Sequence, residues 1–482
     1  MKFLIKFWGD MNKVKSVNFS DKIFYGIGNT GYGIISQTVN NFIMFFGTVV
    51  LALPGSLMGV VMAISVMWDA LTDPLMGTIS DKTRSNKFGR RHGFMIIGCI
   101  GMIIFNIMLW STPTDMSVGA KFIWLLGCLI LLETSNTLFI TPYTALGTEI
   151  SDDYNERTSI QSFKTVFFLI GLIIPTLLVA LLFPDVTGGL NNAENYVGLA
   201  FCTSIICVCC CVVCIMGTFK YVPKLKTLYE HEKQDKKQKI SEIFKNFVST
   251  FKKSNFRSII LGYSISLISA AFLTGVGLHV FKYVFHLRTS QITLLMGCLI
   301  FATIISQAFW YWLSKRYDKK KALLTALGVS ALGILCFTII FLCKNSIMLN
   351  VSFWLLAISL FICGFGTGAL YSLPISMYAD LIGAEREKSC ISSSATYTSF
   401  LTFAYKIANV VALIIIGASL DFVGFDALAE VQLMSVQNSL CWILILGVAF
   451  SILFSFYFYS KFKFSKKYDV KLMKNVNLVK KS

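Results

Sequence analysis

Apolar runs of about 20 residues recur along the whole chain, as in Phe94–Trp110, Phe167–Phe183 and Leu440–Tyr459. An α-helix rises 1.5 Å per residue, so about 20 such residues cross the ~30 Å hydrocarbon core of a bilayer. No water satisfies an open backbone there, which leaves helices or closed barrels. Composition supports the membrane: 55% of the 482 residues are hydrophobic and 14% are charged, against about 25% charged in soluble domains. Apolar stretches between charged or turn-rich breaks predict twelve spans, at 24–50, 56–80, 92–113, 119–149, 159–183, 196–219, 256–284, 289–314, 321–343, 350–382, 390–417 and 436–462. The first run starts too late for a signal peptide and lacks a small-residue cleavage site, so it is expected to be retained.

The formal charge of +18 raises the question of nucleic acid, and its distribution argues against such a partner. With the amino terminus and alternate loops on one side, all but five of the 43 Lys and Arg residues fall on that side. Lys121, Lys282, Arg288 and Lys344 fall on the other, and Lys406 falls inside a span. This positive-inside asymmetry predicts a multi-pass protein of the cell (plasma) membrane with both termini cytoplasmic. The basic tail, 463–482, suits anionic lipid headgroups. Fourteen cysteines, including CVCCCVVC at 207–214, lie mostly in apolar spans without His or acidic neighbours, and read as small hydrophobes.

Residues 220–257 form the longest hydrophilic stretch and separate six spans from six. The expected domains are a six-helix bundle over 1–219, a basic cytoplasmic linker over 220–255, a second bundle over 256–462 and the tail. Span four ends in TPYTALGTEISDDYNER and span ten in LPISMYADLIGAERE, each with a proline, an acid (Glu149, Asp380) and a Glu-Arg pair (156–157, 385–386). Two repeated six-helix halves resemble the major facilitator transporters. The fold class expected is therefore an all-α membrane protein of twelve transmembrane helices in two six-helix halves.

An ionisable group at a helix centre costs about 2.5–3.5 kcal/mol on insertion scales and marks an ion or substrate pathway. Asp69, Asp73, Glu133 and Lys406 meet that description, with Lys164 near a cytoplasmic end. Asp69 and Asp73 stand at i and i+4 and share one helix face. Two carboxylates that close repel unless one takes a proton or a cation lies between them. Thr72 adds a hydroxyl beside them. A site for a coupling cation or proton is favoured over simple capping, because Leu75, Met76 and Ile79 separate the pair from Asp81 at the helix end. Lys406 needs a partner, and Asp69 or Asp73 lies at the right depth; transport coupling and a structural ion pair both remain open. Glu133 reads either as a substrate or proton ligand or as a packing acid. Beyond the pair, Gly77 is expected to allow close helix approach, and Arg90 and Arg91 to meet acids of a neighbouring loop.

The stretch WDALTDPLMGTISDKTRSNKFGRR, residues 68–91, resembles the signature of the glycoside–pentoside–hexuronide:cation symporters, the melibiose/sodium type, within the major facilitator superfamily. Beyond it the likeness rests on scattered positions such as YGIG at 25–28 and NER at 155–157. The resemblance implies that Asp69, Asp73, Thr72 and Thr137 hold the coupling ion, with Asp69 and Asp73 the ligands if it is Na⁺. It places Lys406, Thr402, Lys164 and Tyr371 near the solute. The family's sugar-binding carboxylates of spans one and four fall, by ungapped count, at Gly33 and Ile140. Span one offers amides instead, so Gln37, Asn40 and Asn41 are expected to line the solute pocket with Tyr371 and Glu133, since buried amides need partners. Gly77, Asp81, Arg90, Arg91, Glu156, Arg157 and Asp380 are expected to form a cytoplasmic gate.

The expected activity is symport of a sugar or glycoside driven by Na⁺ or H⁺, with Li⁺ a possible substitute, without any other cofactor and by a monomer. The alternative is an exporter, or a carrier of a lipid-like or organic-anion solute. An enzyme would need a nucleophile–base pair or metal cluster, whereas the four histidines (92, 231, 279, 286) are scattered. A nutrient sensor would usually carry a long regulatory domain.

Overall fold

The computed structural model describes residues 17–83, 85, 87–151, 153–223, 251–346, 349–389, 394–427, 429 and 431–463. Most of the predicted linker and tail, and the side chains of Glu385 and Arg386, lie outside them. Twelve helices in these residues are long and apolar enough to cross a membrane, and no strand occurs among them. In the first half they are α1 (Phe19–Phe45), α2 (Gly55–Lys82), α3 (His92–Trp110), α4 (Val118–Glu149), α5 (Tyr154–Leu182) and α6 (Ala193–Phe219). The second half has α7 (Ser254–His279), α8 (Thr289–Arg316), α9 (Lys319–Leu342), α10, α11 (Ser394–Phe422) and α12 (Met434–Ser460). α10 runs from Leu349–Thr367 through a 3₁₀ turn, Gly368–Tyr371, into Leu373–Ser389.

α1 starts at Phe19, five residues before its predicted apolar run, because its polar first turn finds partners. Asp21 is buried, and its carboxylate accepts from Lys220 Nζ at 2.5 Å and from the Tyr221 hydroxyl at 2.6 Å. Burial, with Asp21 alongside, pushes the Tyr221 hydroxyl above the ordinary phenol range. Lys22 pairs with Glu156 at 2.8 Å.

The halves repeat a backbone device that hydropathy does not register. α1 continues into a π-helical turn, Phe46–Val50, followed by Ala52 at φ 53°. α7 continues into the same turn, Val280–Val284, followed by His286 at φ 50°. A non-glycine residue in this left-handed region costs roughly 1–2 kcal/mol. Such strain, placed at matching positions, turns the chain sharply into α2 and α8 on the face opposite the basic ends.

Within a half, polar side chains join apolar helices, as membrane packing favours. Asn106 of α3 is fully buried and donates to the Ala200 carbonyl, Thr203 and Ser204 of α6, while Trp110 Nε1 donates back to its oxygen at 3.1 Å. Between the halves, α2 packs along α11, α5 against α8, and α1 against α7. The α2–α11 crossing depends on missing side chains. A Cβ on Gly59 would lie 2.6 Å from the Leu413 carbonyl, and one on Gly55 2.6 Å from that of Gly417.

Candidate cation and solute site

The charged cluster begins with one turn of α2. Pro74 has no N–H to offer the Ala70 carbonyl one turn earlier, so the helix ladder is interrupted between Asp69 and Asp73. Their carboxylates share a face, as helical spacing requires, and both are partly solvent-accessible. Lys406 of α11 is buried and joins them: its Nζ lies 2.8 Å from Asp69 Oδ2 and 2.7 Å from Asp73 Oδ2. Thr137 of α4 donates its hydroxyl to Asp69 Oδ1 at 3.1 Å. Glu133, one turn away on α4, lies within electrostatic reach of Asp69, Asp73 and Lys406 and accepts from Asn136 Nδ2 at 3.1 Å. Three acids thus face one lysine across the boundary between the halves.

Aromatic residues not singled out in the sequence close this cluster. Tyr32 of α1 is bonded to Ser36 and lies within reach of Asp69, Asp73 and Glu133. Tyr405 of α11 lies within reach of Asp69, and its ring stands 6.1 Å from that of Tyr263 on α7. Trp68, beside Asp69, donates its indole N–H to Thr134 at 2.9 Å. Adjacency to Asp69 and Lys406 was the available signal for Trp68 and Tyr405; Tyr32 had none.

Residues 24–466 match the family described as MFS/sugar transport protein. The chain belongs to this family of transporters. It is 33% identical over 173 residues to an uncharacterized symporter of Synechocystis sp., and 30% identical over 206 residues to an inner membrane symporter of Escherichia coli. Those alignments cover 35% and 43% of this chain, and only 32% and 44% of the relatives' own lengths. A sodium-dependent lysophosphatidylcholine symporter of Danio rerio is 23% identical over 471 residues, 91% of this chain and 84% of that protein. The solved xylose transporter of E. coli superposes with a TM-score of 0.60 at 11% identity, covering 90% of this chain and 98% of that one. At that identity the likeness establishes the fold.

Several expected positions of the transporter are occupied differently from the sequence reading. The Thr72 hydroxyl donates to the Trp68 carbonyl at 3.1 Å, as threonines inside helices do, and does not donate to either aspartate carboxylate; its oxygen keeps its lone pairs. Gly77 is not a close-approach glycine: the nearest atom to a Cβ there would be Thr141 Cγ2 at an ordinary 3.8 Å. The tight crossing lies at Gly55, Gly59 and Gly417 instead. Gln37 donates to Asn41 Oδ1 at 2.8 Å, a single bond that leaves the Gln37 oxygen and the Asn41 amino group to other partners, while Asn40 is exposed and contacts Ser36 at 3.4 Å. Gly33 is buried against α5, where a Cβ would meet Phe168 Cδ2 at 3.2 Å; the ring fills the space a carboxylate would need. Ile140 packs on the hydrophobic core.

Lys164 stands apart from the acid cluster. Its Nζ donates to Thr144 Oγ1 at 2.8 Å and lies 5.5 Å from the centre of the Tyr143 ring. Tyr371 is 46% exposed and lines an apolar cavity of the second half with Thr303, Ser359 and Thr367. Thr402 occupies an exposed position one turn before Lys406.

Arg90 and Arg91 find their acid on a helix rather than a loop, because α4 extends to the membrane edge beside them. Arg91 is buried and reaches Glu149 Oε1 at 2.5 Å, Asp81 Oδ1 at 2.6 Å and Ser80 Oγ at 2.6 Å; Arg90 reaches Glu149 at 2.7 Å. Glu149 was noted in sequence only as half of an echo. In the second half Lys319, the first residue of α9, meets Asp380 at 2.5 Å, so the echo corresponds to two acids each held by a basic residue at or just before the start of the next helix. Arg157 donates to the Ser151 carbonyl at 2.6 Å. Each of these named pairs ties elements within its own half.

Proposed function

We propose that the chain is a cation-coupled symporter of a sugar or glycoside, driven by Na⁺ or H⁺ and working by alternating access in the plasma membrane with both termini cytoplasmic. The observation that carries this reading is Lys406 bridging Asp69 and Asp73 between the two halves. An arriving cation competes with the Lys406 ammonium for the same carboxylate oxygens. Each Asp69 or Asp73 oxygen it takes weakens a bond joining α2 to α11, so ion occupancy biases how the halves meet. That is a free-energy coupling between the ion and the conformations that bind solute. Thr137 completes the hard-oxygen set, and Li⁺ suits the same donors.

The solute is assigned to the inner faces of the helices around this cluster, where Gln37, Asn41, Glu133 and Thr402 would contact it, with Tyr371 contributing from the cavity of the second half that it lines. The experiment is uptake of a panel of radiolabelled sugars into vesicles holding the purified protein, with and without an imposed Na⁺ or proton gradient. Accumulation above equilibrium that requires the gradient and is abolished in Asp73→Asn supports the reading. Full accumulation by Asp73→Asn would overturn it.

A second reading, a lipid-like or organic-anion solute, is favoured by Lys164. No acid pairs with this lysine among the described residues, and the position where a family carboxylate would stand, Gly33, is closed by Phe168. The similarity to lysophosphatidylcholine symporters bears on the same reading. It prevails if every neutral sugar fails in the vesicle assay and an anionic solute is accumulated.

A further inference from the structure

Two carboxylates at the face opposite the basic ends each cap a helix belonging to the other half. Asp421, in the last turn of α11, accepts from the Gly55 N–H at 2.6 Å and the Ser56 N–H at 2.8 Å, the first two amides of α2. Asp185, just beyond the end of α5, accepts from the Thr289 N–H at 2.8 Å, the first amide of α8. α5 and α11 are the fifth helices of their halves, and α2 and α8 the second. The two contacts are therefore the same contact made twice.

Local rules do not account for Asp421, whereas Asp185 also opens a 3₁₀ turn of its own, Asp185–Thr187. The initial amides of a helix lack intrahelical acceptors and carry its positive dipole end. An acid at a helix carboxyl end meets the negative end of its own dipole. Asp421 is misplaced for α11 and well placed for α2, whose preceding residue, Pro54, has no side-chain acceptor. Asp185 likewise follows the carboxyl end of α5. The Asp185 loop also fits its target closely: a Cβ on Gly189 would clash with Thr289 Oγ1.

We infer that Asp185 and Asp421 are paired latches of the alternating-access cycle, holding this face closed by capping α8 and α2 in trans and releasing both caps when the halves separate there. They are positioning residues and touch neither ion nor solute. The inference rests on the alternating-access reading, but its test needs no solute or ion gradient, so its failure is distinguishable from failure of symport.

Nitroxides coupled to ketone-bearing residues at Asp115 and Asn345, two exposed loop positions, report the distance across this face by pulsed electron resonance and leave the native thiols alone. Asp421→Ala or Asp185→Ala is expected to raise the open-to-closed ratio roughly fivefold, the usual consequence of a lost cap. The double variant should shift by about the product of the two. Asp421→Asn, which keeps an acceptor oxygen, should return most of the closed population. Glu194→Ala removes an exposed acid from the same face and should change nothing. A double variant with the wild-type distance distribution, or an equal shift in Glu194→Ala, would overturn the inference. Hydrogen exchange on the unmutated protein gives a second reading. The amides of Ser56 and Thr289 should lose protection together, and independent exchange of the two would also overturn it.

Discussion

Lys406 Nζ lies 2.7 Å from Asp73 Oδ2, although 333 positions separate the two residues in the chain. One belongs to each half, so this ion pair is at once a candidate ion site and a contact between the two halves. Lys406 is the buried member of the pair and Asp73 is partly exposed, so removing the carboxylates would leave a buried ammonium uncompensated, the costlier of the two losses.

Lys406→Gln is expected to leave both carboxylates to the ion alone. Na⁺ should then bind without having to displace the ammonium, more tightly than in the wild type, and solute accumulation should fall to the equilibrium level. Sodium titration of Trp68 fluorescence, together with vesicle uptake, checks both. Unchanged accumulation would show that Lys406 is structural only.

Arg91→Ala is expected to destabilise the protein by about 1–3 kcal/mol, because a buried guanidinium bridging Glu149, Asp81 and Ser80 is lost while Arg90 still pairs with Glu149. Asp81→Asn, whose side chain is 60% exposed, should cost at most about 1 kcal/mol. Thermal unfolding in detergent ranks the two, and equal losses would contradict the geometry.

Gly59→Ala places a methyl against the Leu413 carbonyl, a backbone atom that cannot rotate aside. The expected cost is about 1–3 kcal/mol, with α2 and α11 forced apart. Gly77→Ala meets only an ordinary contact with Thr141 at 3.8 Å and gains helix propensity of up to about 1 kcal/mol. The same melts should therefore move in opposite directions.

Gln37→Ala with Asn41→Ala removes a hydrogen-bonded amide pair. Solute affinity is expected to fall roughly tenfold while Na⁺ affinity is unchanged, as measured by uptake kinetics and sodium titration. Intact affinity for the transported solute would remove α1 from the pocket.

The sequence carried the fold and part of the site for a common reason. A bilayer demands long apolar helices, so twelve spans could be counted from hydropathy. The facing carboxylates of Asp69 and Asp73 followed from helical periodicity within a single turn. Both properties are local. Lys406 could be matched to that pair only by depth, and Glu149 could not be assigned to Arg90 and Arg91 at all.

What only the tertiary structure decided is how helices distant in sequence are registered against each other. It turned the Thr72 hydroxyl to its own backbone, put the tight crossing at Gly59 and Gly417 rather than Gly77, and filled the space beside Gly33 with Phe168. It also gave Asp185 and Asp421 helix ends in the opposite half. Periodicity and bilayer thickness act along one helix. Partners between helices are selected by packing and electrostatics among surfaces that the linear order does not bring together.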